Sequence, residues 1–237
     1  MSDEERPELR HRAIRSYVLR AGRMTEAQAR ALEELWPRFG IDAGDESLDL
    51  PELFGRDVSR TLEIGFGNGG NLAGLAADHP QSDFIGIEVH APGVGHLLRA
   101  AEVAKLTNLR VIQQDAMEVL RKRIEPASLG SILVLFPDPW HKKRHHKRRL
   151  INAEFAELAA SRLAAGGTLQ LATDWTPYAE WMLEVLNNAP GLKNRSPDSG
   201  YVPRNPGRLR TRFEARGERL GHAVHDLCFE RISPSGG

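Results

Sequence analysis

The chain has 237 residues, 41% of them hydrophobic and 27% charged, the composition of a globular protein long enough to bury a sizeable core. Thirty-two Lys or Arg balance thirty-two Asp or Glu, so net charge identifies no partner, and with a single cysteine, Cys228, no intrachain disulfide forms and secretion gains no support. The densely charged N-terminus lacks the apolar stretch of a signal peptide, and no apolar run nears the ~20 residues of a membrane helix, so a cytoplasmic protein without membrane contact is expected.

Residues 1–24 are charged and irregular, with Arg10, Arg12, Arg15, Arg20 and Arg23 spread along them, and predict a mobile basic arm ahead of a single domain over 25–237. Thr25 and Gln28 form a capping box for a helix carrying Ala29, Leu32, Leu35 and Trp36, closed by Pro37 and Gly40. Residues 41–57 predict a loop. Short apolar strands then follow at Thr61–Gly65, Phe84–Val89, Leu109–Gln113, Ile132–Phe136 and Thr168–Thr173. Helices between them cover about Asn71–Ala77, His96–Lys105, Ala116 onward and Ile151–Leu163, with another over Tyr178–Leu186. This alternation implies a parallel, doubly wound α/β sheet. The Pro-, Gly- and Arg-rich stretch 190–220 predicts loop, and Ala223–Ile232 alternates as a last strand able to pair antiparallel beside the fifth. Cys228, inside that alternation, reads as an inert core thiol.

The first strand runs into Leu62-Glu63-Ile64-Gly65-Phe66-Gly67-Asn68-Gly69-Gly70, which fits two templates. Gly65, Gly67 and Gly70 satisfy the dinucleotide fingerprint, and Glu63-x-Gly65-x-Gly67-x-Gly69 equally satisfies the acidic pattern of S-adenosylmethionine (SAM) enzymes. Glu63 favours the second, because a carboxylate beside a pyrophosphate is unfavourable whereas a sulfonium and an ammonium are attracted to it. Glu88, ending the second strand, suits ribose hydroxyls with either ligand. Asp115, after the third, can accept from an adenine amino group or simply cap the following helix.

Charge is unevenly spread. Residues 1–57 hold nine Lys or Arg against thirteen Asp or Glu, and residues 193–219 hold eight against three. His141 to Arg149 contains six Lys or Arg, three His and no acid, and follows Phe136-Pro137-Asp138-Pro139-Trp140 directly. A strand end delivering one carboxylate and one aromatic ring into a cationic patch points to chemistry on a polyanion. Pro137 and Pro139 predict extended backbone at Phe136 and Asp138. His141, His145 and His146 make no metal site, since the adjacent cations repel a divalent ion. Protonation of these histidines could instead add positive charge at mildly acid pH.

With these residues in view, the sequence resembles the bacterial tRNA (guanine-N7-)-methyltransferases over roughly Arg15 to Arg231. The resemblance is carried by Glu63, Gly65, Gly67, Glu88, Asp115 and the block Pro137 to Arg149, and it continues through Thr173-Asp174-Trp175 and Thr211-Arg212-Phe213-Glu214. It implies the seven-stranded, mostly parallel, Rossmann-like sheet of class I SAM-dependent methyltransferases, last strand antiparallel, and SAM-dependent methylation of N7 of guanosine 46 in the tRNA variable loop. It further implies that Glu63, Gly65, Gly67, Glu88, Asp115 and Asp138 contact or border SAM, with Asp138 catalytic. Lys142, Asp174, Thr211, Arg212, Phe213 and Glu214 would hold the substrate. Arg144, His145, His146, Lys147, Arg148 and Arg149 would form an RNA-contacting strip. No metal is implied, and monomer and homodimer both stay open. Chemically, Glu214 or Asp174 could each accept from the N1–H and N2 amino groups of guanine, and the sequence does not rank them. Rival readings are an exocyclic-amine methyltransferase, since Asp138-Pro139-Trp140 is similar to that motif but lacks its second consecutive proline, a dehydrogenase, and a tRNA- or SAM-binding protein without turnover.

Overall fold

A computed structural model describes residues 15–18, 23–209, 214, 219 and 221–233. Eight strands among them form one sheet in the order β1-β4-β3-β2-β5-β6-β8-β7. Its centre is β2 (Arg60–Ile64), flanked by β3 (Asp83–Ile87) and β4 (Leu109–Ile112) on one side and by β5 (Leu129–Leu135) and β6 (Leu163–Thr173) on the other. These pairings are parallel, as is that of the two-residue edge strand β1 (Gly40–Ile41) with β4. The last strand, β8 (His225–Arg231), runs antiparallel to both β6 and β7 (Leu192–Asn194). The sheet is therefore the expected one with β1 added at its edge. The chain steps outward from β2 to β3 and β4, then returns to start β5 on the other flank of β2. The crevice at the C-terminal ends of β2 and β5 is thus a topological switch point, where open α/β sheets bind ligands.

Period-two alternation assigns the strand side chains to two layers. Leu62, Ile64, Ile132, Val134, Leu169, Leu171, Leu227 and Phe229 pack against α6 (Ala116–Lys122), α7 (Ala153–Arg162) and α8 (Thr176–Asn187). On the other face Phe84, Leu109 and Val111 meet α1 (Glu26–Glu34), α4 (Gly70–Asp78) and α5 (Ala91–Val103). Glu63 consequently points into the α4 layer, a carboxylate within an apolar strand. The capping box forms as expected: Gln28 N donates to Thr25 Oγ1 at 3.3 Å and Thr25 N to Gln28 Oε1 at 2.9 Å.

Several short elements differ from the sequence reading. α2 (Trp36–Phe39) carries Pro37 in its first turn, where the missing N–H costs nothing, so this proline begins a helix instead of ending one. α3 (Leu50–Phe54), capped by Asp49, lies in the expected loop 41–57 and is too short to show periodicity. β7 lies in the expected loop 190–220 and exists through its pairing with β8, a long-range cause invisible locally. α5 begins at Ala91, ahead of the predicted His96, because Pro92 also sits in its first turn.

Candidate active site

The C-terminal ends of β2 to β6 share one edge of the sheet. Read across it, they present Asp115 after β4, Glu88 after β3, the glycine turn after β2, Asp138 after β5 and Asp174 after β6. The fold thus gathers acids spread from Glu88 to Asp174 along the sequence.

The turn after β2 is open above and braced below. Gly65 and Gly67 adopt φ of +70° and +59°, and a Cβ at either would meet nothing within 4 Å, so the positions face free space. Gly67 N donates to Glu88 Oε2 at 2.9 Å, while Glu88 Oε1 accepts from Val89 N at 2.7 Å and His90 N at 3.0 Å. The first turn of α5 presses in from the side: a Cβ on Gly93 would lie 2.1 Å from Gly67 O. Asp115 caps α6 through Oδ1, accepting from Met117 N at 2.8 Å and Glu118 N at 3.3 Å.

Glu63 is 2% exposed, and Asn71 Nδ2 donates to its Oε2 at 3.0 Å. Burial pushes its pKa up to about 7, the Asn71 hydrogen bond offsetting part of the rise. Asn71 also accepts from Leu209 N at 3.0 Å, tying the segment before residue 210 to the turn. The sequence reading missed Asn71; its signal is a polar residue in the first turn of a helix that is then apolar as far as Asp78. Free space over two glycines beside a buried carboxylate fits a cationic nucleoside such as SAM and disfavours a pyrophosphate.

The loop after β5 corrects one expectation. Phe136 has φ of +52° and Trp140 +48°, so Phe136 is left-handed and not extended. Pro137 disfavours right-handed helical backbone at Phe136, a restriction that left-handed backbone also satisfies. Asp138 is exposed, and its Oδ1 accepts from Trp140 N at 3.0 Å, closing a short turn. Lys143–Arg148 then forms a 3₁₀ helix. Lys142 just before it and Lys143, Arg144 and Lys147 on it are exposed, while Arg148 lies 5.0 Å from the centre of the Trp140 ring.

Arg149, expected with the RNA-contacting residues, is buried instead of lying on the exposed face of this segment. It is 3% exposed, its Nε donates to Pro139 O at 3.0 Å, and its guanidinium lies 4.8 Å from the Tyr178 ring and 5.3 Å from the Trp181 ring. The reason is packing: Arg149 fastens the Asp138 loop to α8. Desolvation, then the charges of Arg144, Arg148 and Lys142, lower the His145 pKa, which opposes added charge there at mildly acid pH.

For substrate, Thr211, Arg212 and Phe213 lie outside the described residues. Glu214 is described, and it is neither on the surface nor open to a base. It is 1% exposed; Arg204 Nε donates to its Oε1 at 2.7 Å, Arg208 Nη1 to its Oε2 at 2.8 Å, and Arg208 also pairs with Asp226. Burial alone would raise the Glu214 pKa, but the two guanidiniums outweigh it and lower it. Asp174 is a third exposed, with His222 Nδ1 3.8 Å away, and His141 packs edge-on against Trp175 beside it. Among the described residues no group of three or more His, Cys, Asp or Glu is placed to hold a metal ion, and no helix is long and apolar enough to cross a membrane.

The family model described as "Putative methyltransferase" matches residues 57–227. Solved structures share the fold at low identity: the 16S rRNA methyltransferase KamB superposes with a TM-score of 0.58 at 18% identity, covering 83% of this chain and 99% of its own. The aminoglycoside resistance methyltransferase NpmB1 superposes with 0.53 at 18%, covering 78% and 92%. Curated relatives are much nearer. The tRNA (guanine-N(7)-)-methyltransferase of Shewanella sp. (strain W3-18-1) is 57% identical over 93% of each chain. That of Stutzerimonas stutzeri (strain A1501) is 55% identical over 97% of this chain and 96% of its own. With that identity spread over nearly the whole length, and the acids of the glycine turn and the Asp138 loop at one sheet edge, this chain belongs to the tRNA (guanine-N(7)-)-methyltransferase family.

Proposed function

We propose that this protein transfers the methyl group of SAM to N7 of guanosine 46 in the variable loop of tRNA, forming 7-methylguanosine. The observation that carries the reading is the juxtaposition of the open glycine turn, the exposed Asp138 carboxylate and an exposed cationic 3₁₀ helix along neighbouring strand ends. When bound, SAM supplies an electrophilic methyl group on a sulfonium. Gly65 and Gly67 would leave room for it, Glu63 would offer a buried negative charge, and Glu88 and Asp115 would face its ribose and adenine. Guanine N7 already presents an in-plane lone pair, so no side chain has a proton to remove before transfer. The chain's task is alignment and electrostatics. Asp138, beside the site where positive charge passes to the guanine ring, would stabilise that charge and orient the base. For guanine's N1–H and N2 amino group, the accessibility of Asp174 favours it over the double-paired Glu214.

Methyl-labelled SAM and unmodified tRNA, followed by nucleoside analysis, test this directly. Label is expected in 7-methylguanosine and lost when guanosine 46 is replaced. Label in N6-methyladenosine, or tRNA binding without label, would support the rival readings instead.

Lys142, Lys143, Arg144, Lys147 and Arg148 would grip phosphates. Replacing Arg144 and Lys147 together with alanine is expected to weaken tRNA binding and reduce the slope of log K against log salt by roughly 0.7–0.9 per lost contact. An unchanged slope in a salt titration would remove both residues from the phosphate-binding surface.

A further inference from the structure

We propose that Ser16 and Tyr17 form a strap across the methyl-donor pocket, with Tyr17 closing its adenosine side and Trp140 anchoring the other end. The observations lie outside the motifs that define the site. Trp140, in the Asp138 loop, donates its indole N–H to Ser16 O at 3.1 Å across 124 positions of sequence. Tyr17, one residue on, is half-buried, with Arg15 5.8 Å from its ring. Its pKa is raised by burial first and then by the carboxylate of Asp115, with a further contribution from Glu118, both at the start of α6. Trp140 follows β5 and Asp115 follows β4, three strand spacings apart in the sheet order. Those spacings amount to roughly 14 Å. One peptide unit between two long aromatic side chains covers that span, passing over the ends of β2 and β3 where the glycine turn and Glu88 stand. The segment expected to be a loose arm is, at these residues, a wall of the site.

This inference rests on the donor-site reading above, extends it to two further residues, and makes donor binding sensitive to the loop that bears Asp138. The test is calorimetric titration of the full chain with S-adenosylhomocysteine. Tyr17→Ala is expected to weaken binding about tenfold, the scale of one lost aromatic contact. Tyr17→Phe should keep most of the affinity. Trp140→Phe, which retains the ring but loses the indole donor, should weaken binding in a way that is not additive with Tyr17→Ala. In wild type, S-adenosylhomocysteine should slow tryptic cleavage after Arg15, and in Tyr17→Ala it should not. An unchanged melting temperature of the free Tyr17→Ala protein keeps a folding defect out of the comparison. Should that melting temperature fall, the retained affinity of Tyr17→Phe carries the test. Wild-type binding with an unaltered Tyr17→Ala affinity overturns the strap alone. Absence of wild-type binding overturns the donor site and the strap with it.

Discussion

Asp138→Asn is expected to lower kcat by about 10²–10³, the range found when one preorganised electrostatic contact to a transition state is removed. Asparagine keeps a side-chain oxygen that can accept from Trp140 N, so the turn at Pro137–Trp140 survives and the charge alone is lost. Affinity for S-adenosylhomocysteine should change little, which makes the effect one on kcat rather than on donor binding. Single-turnover kinetics with unmodified tRNA provide the measurement. Near-wild-type turnover in Asp138→Asn, with loss only in Asp138→Ala, would show that the side chain shapes the loop and that its charge is immaterial.

The second large effect concerns Glu63. Its folded pKa of about 7 stands above the ordinary carboxyl value of 4.5, so between those limits the folded chain holds a proton that the unfolded chain has released. The stability this confers is fully present below pH 4.5 and lost as pH rises through 7. The shift corresponds to about 3 kcal/mol. Glu63→Gln, still able to accept from Asn71, is therefore expected to match wild type near pH 4.5 and to exceed it by about that amount above pH 7, seen as a melting temperature higher by roughly 5–10 °C. The same change should weaken S-adenosylhomocysteine binding, because a buried anion that can face the ligand's ammonium is gone. Equal melting curves for the two proteins at pH 8 would show that Glu63 carries no such desolvation cost.

The parts of this molecule legible in its sequence are those with local causes. Thr25 and Gln28 announce their cap within four residues, and the apolar runs of β2 to β6 and β8 show which segments are strands. Glu63, Gly65 and Gly67 carry their spacing with them. What stayed hidden depends on partners far along the chain. Nothing near Arg149 separates it from Arg144 or Lys147; its burial is decided by Tyr178 and Trp181 on α8. Glu214 reads as an open acid until Arg204 and Arg208 fold onto it. Ser16 is held by the indole of a tryptophan more than a hundred residues away. Phe136 could be predicted to avoid right-handed helical backbone, but the choice between extended and left-handed geometry was made by the loop as a whole.

The position of β8 has a consequence for how the protein comes into being on the ribosome. This strand is the last of those described, yet it lies between β6 and β7. Until residues 225–231 emerge, β6 is an open edge and β7 lacks the neighbour with which it pairs, so the half of the sheet that carries Asp174 stays incomplete while the half that carries the glycine turn can already form. Synthesis would thus complete the strands around the glycine turn before those around Asp174, so the two ends of this sheet edge form in the order of the sequence.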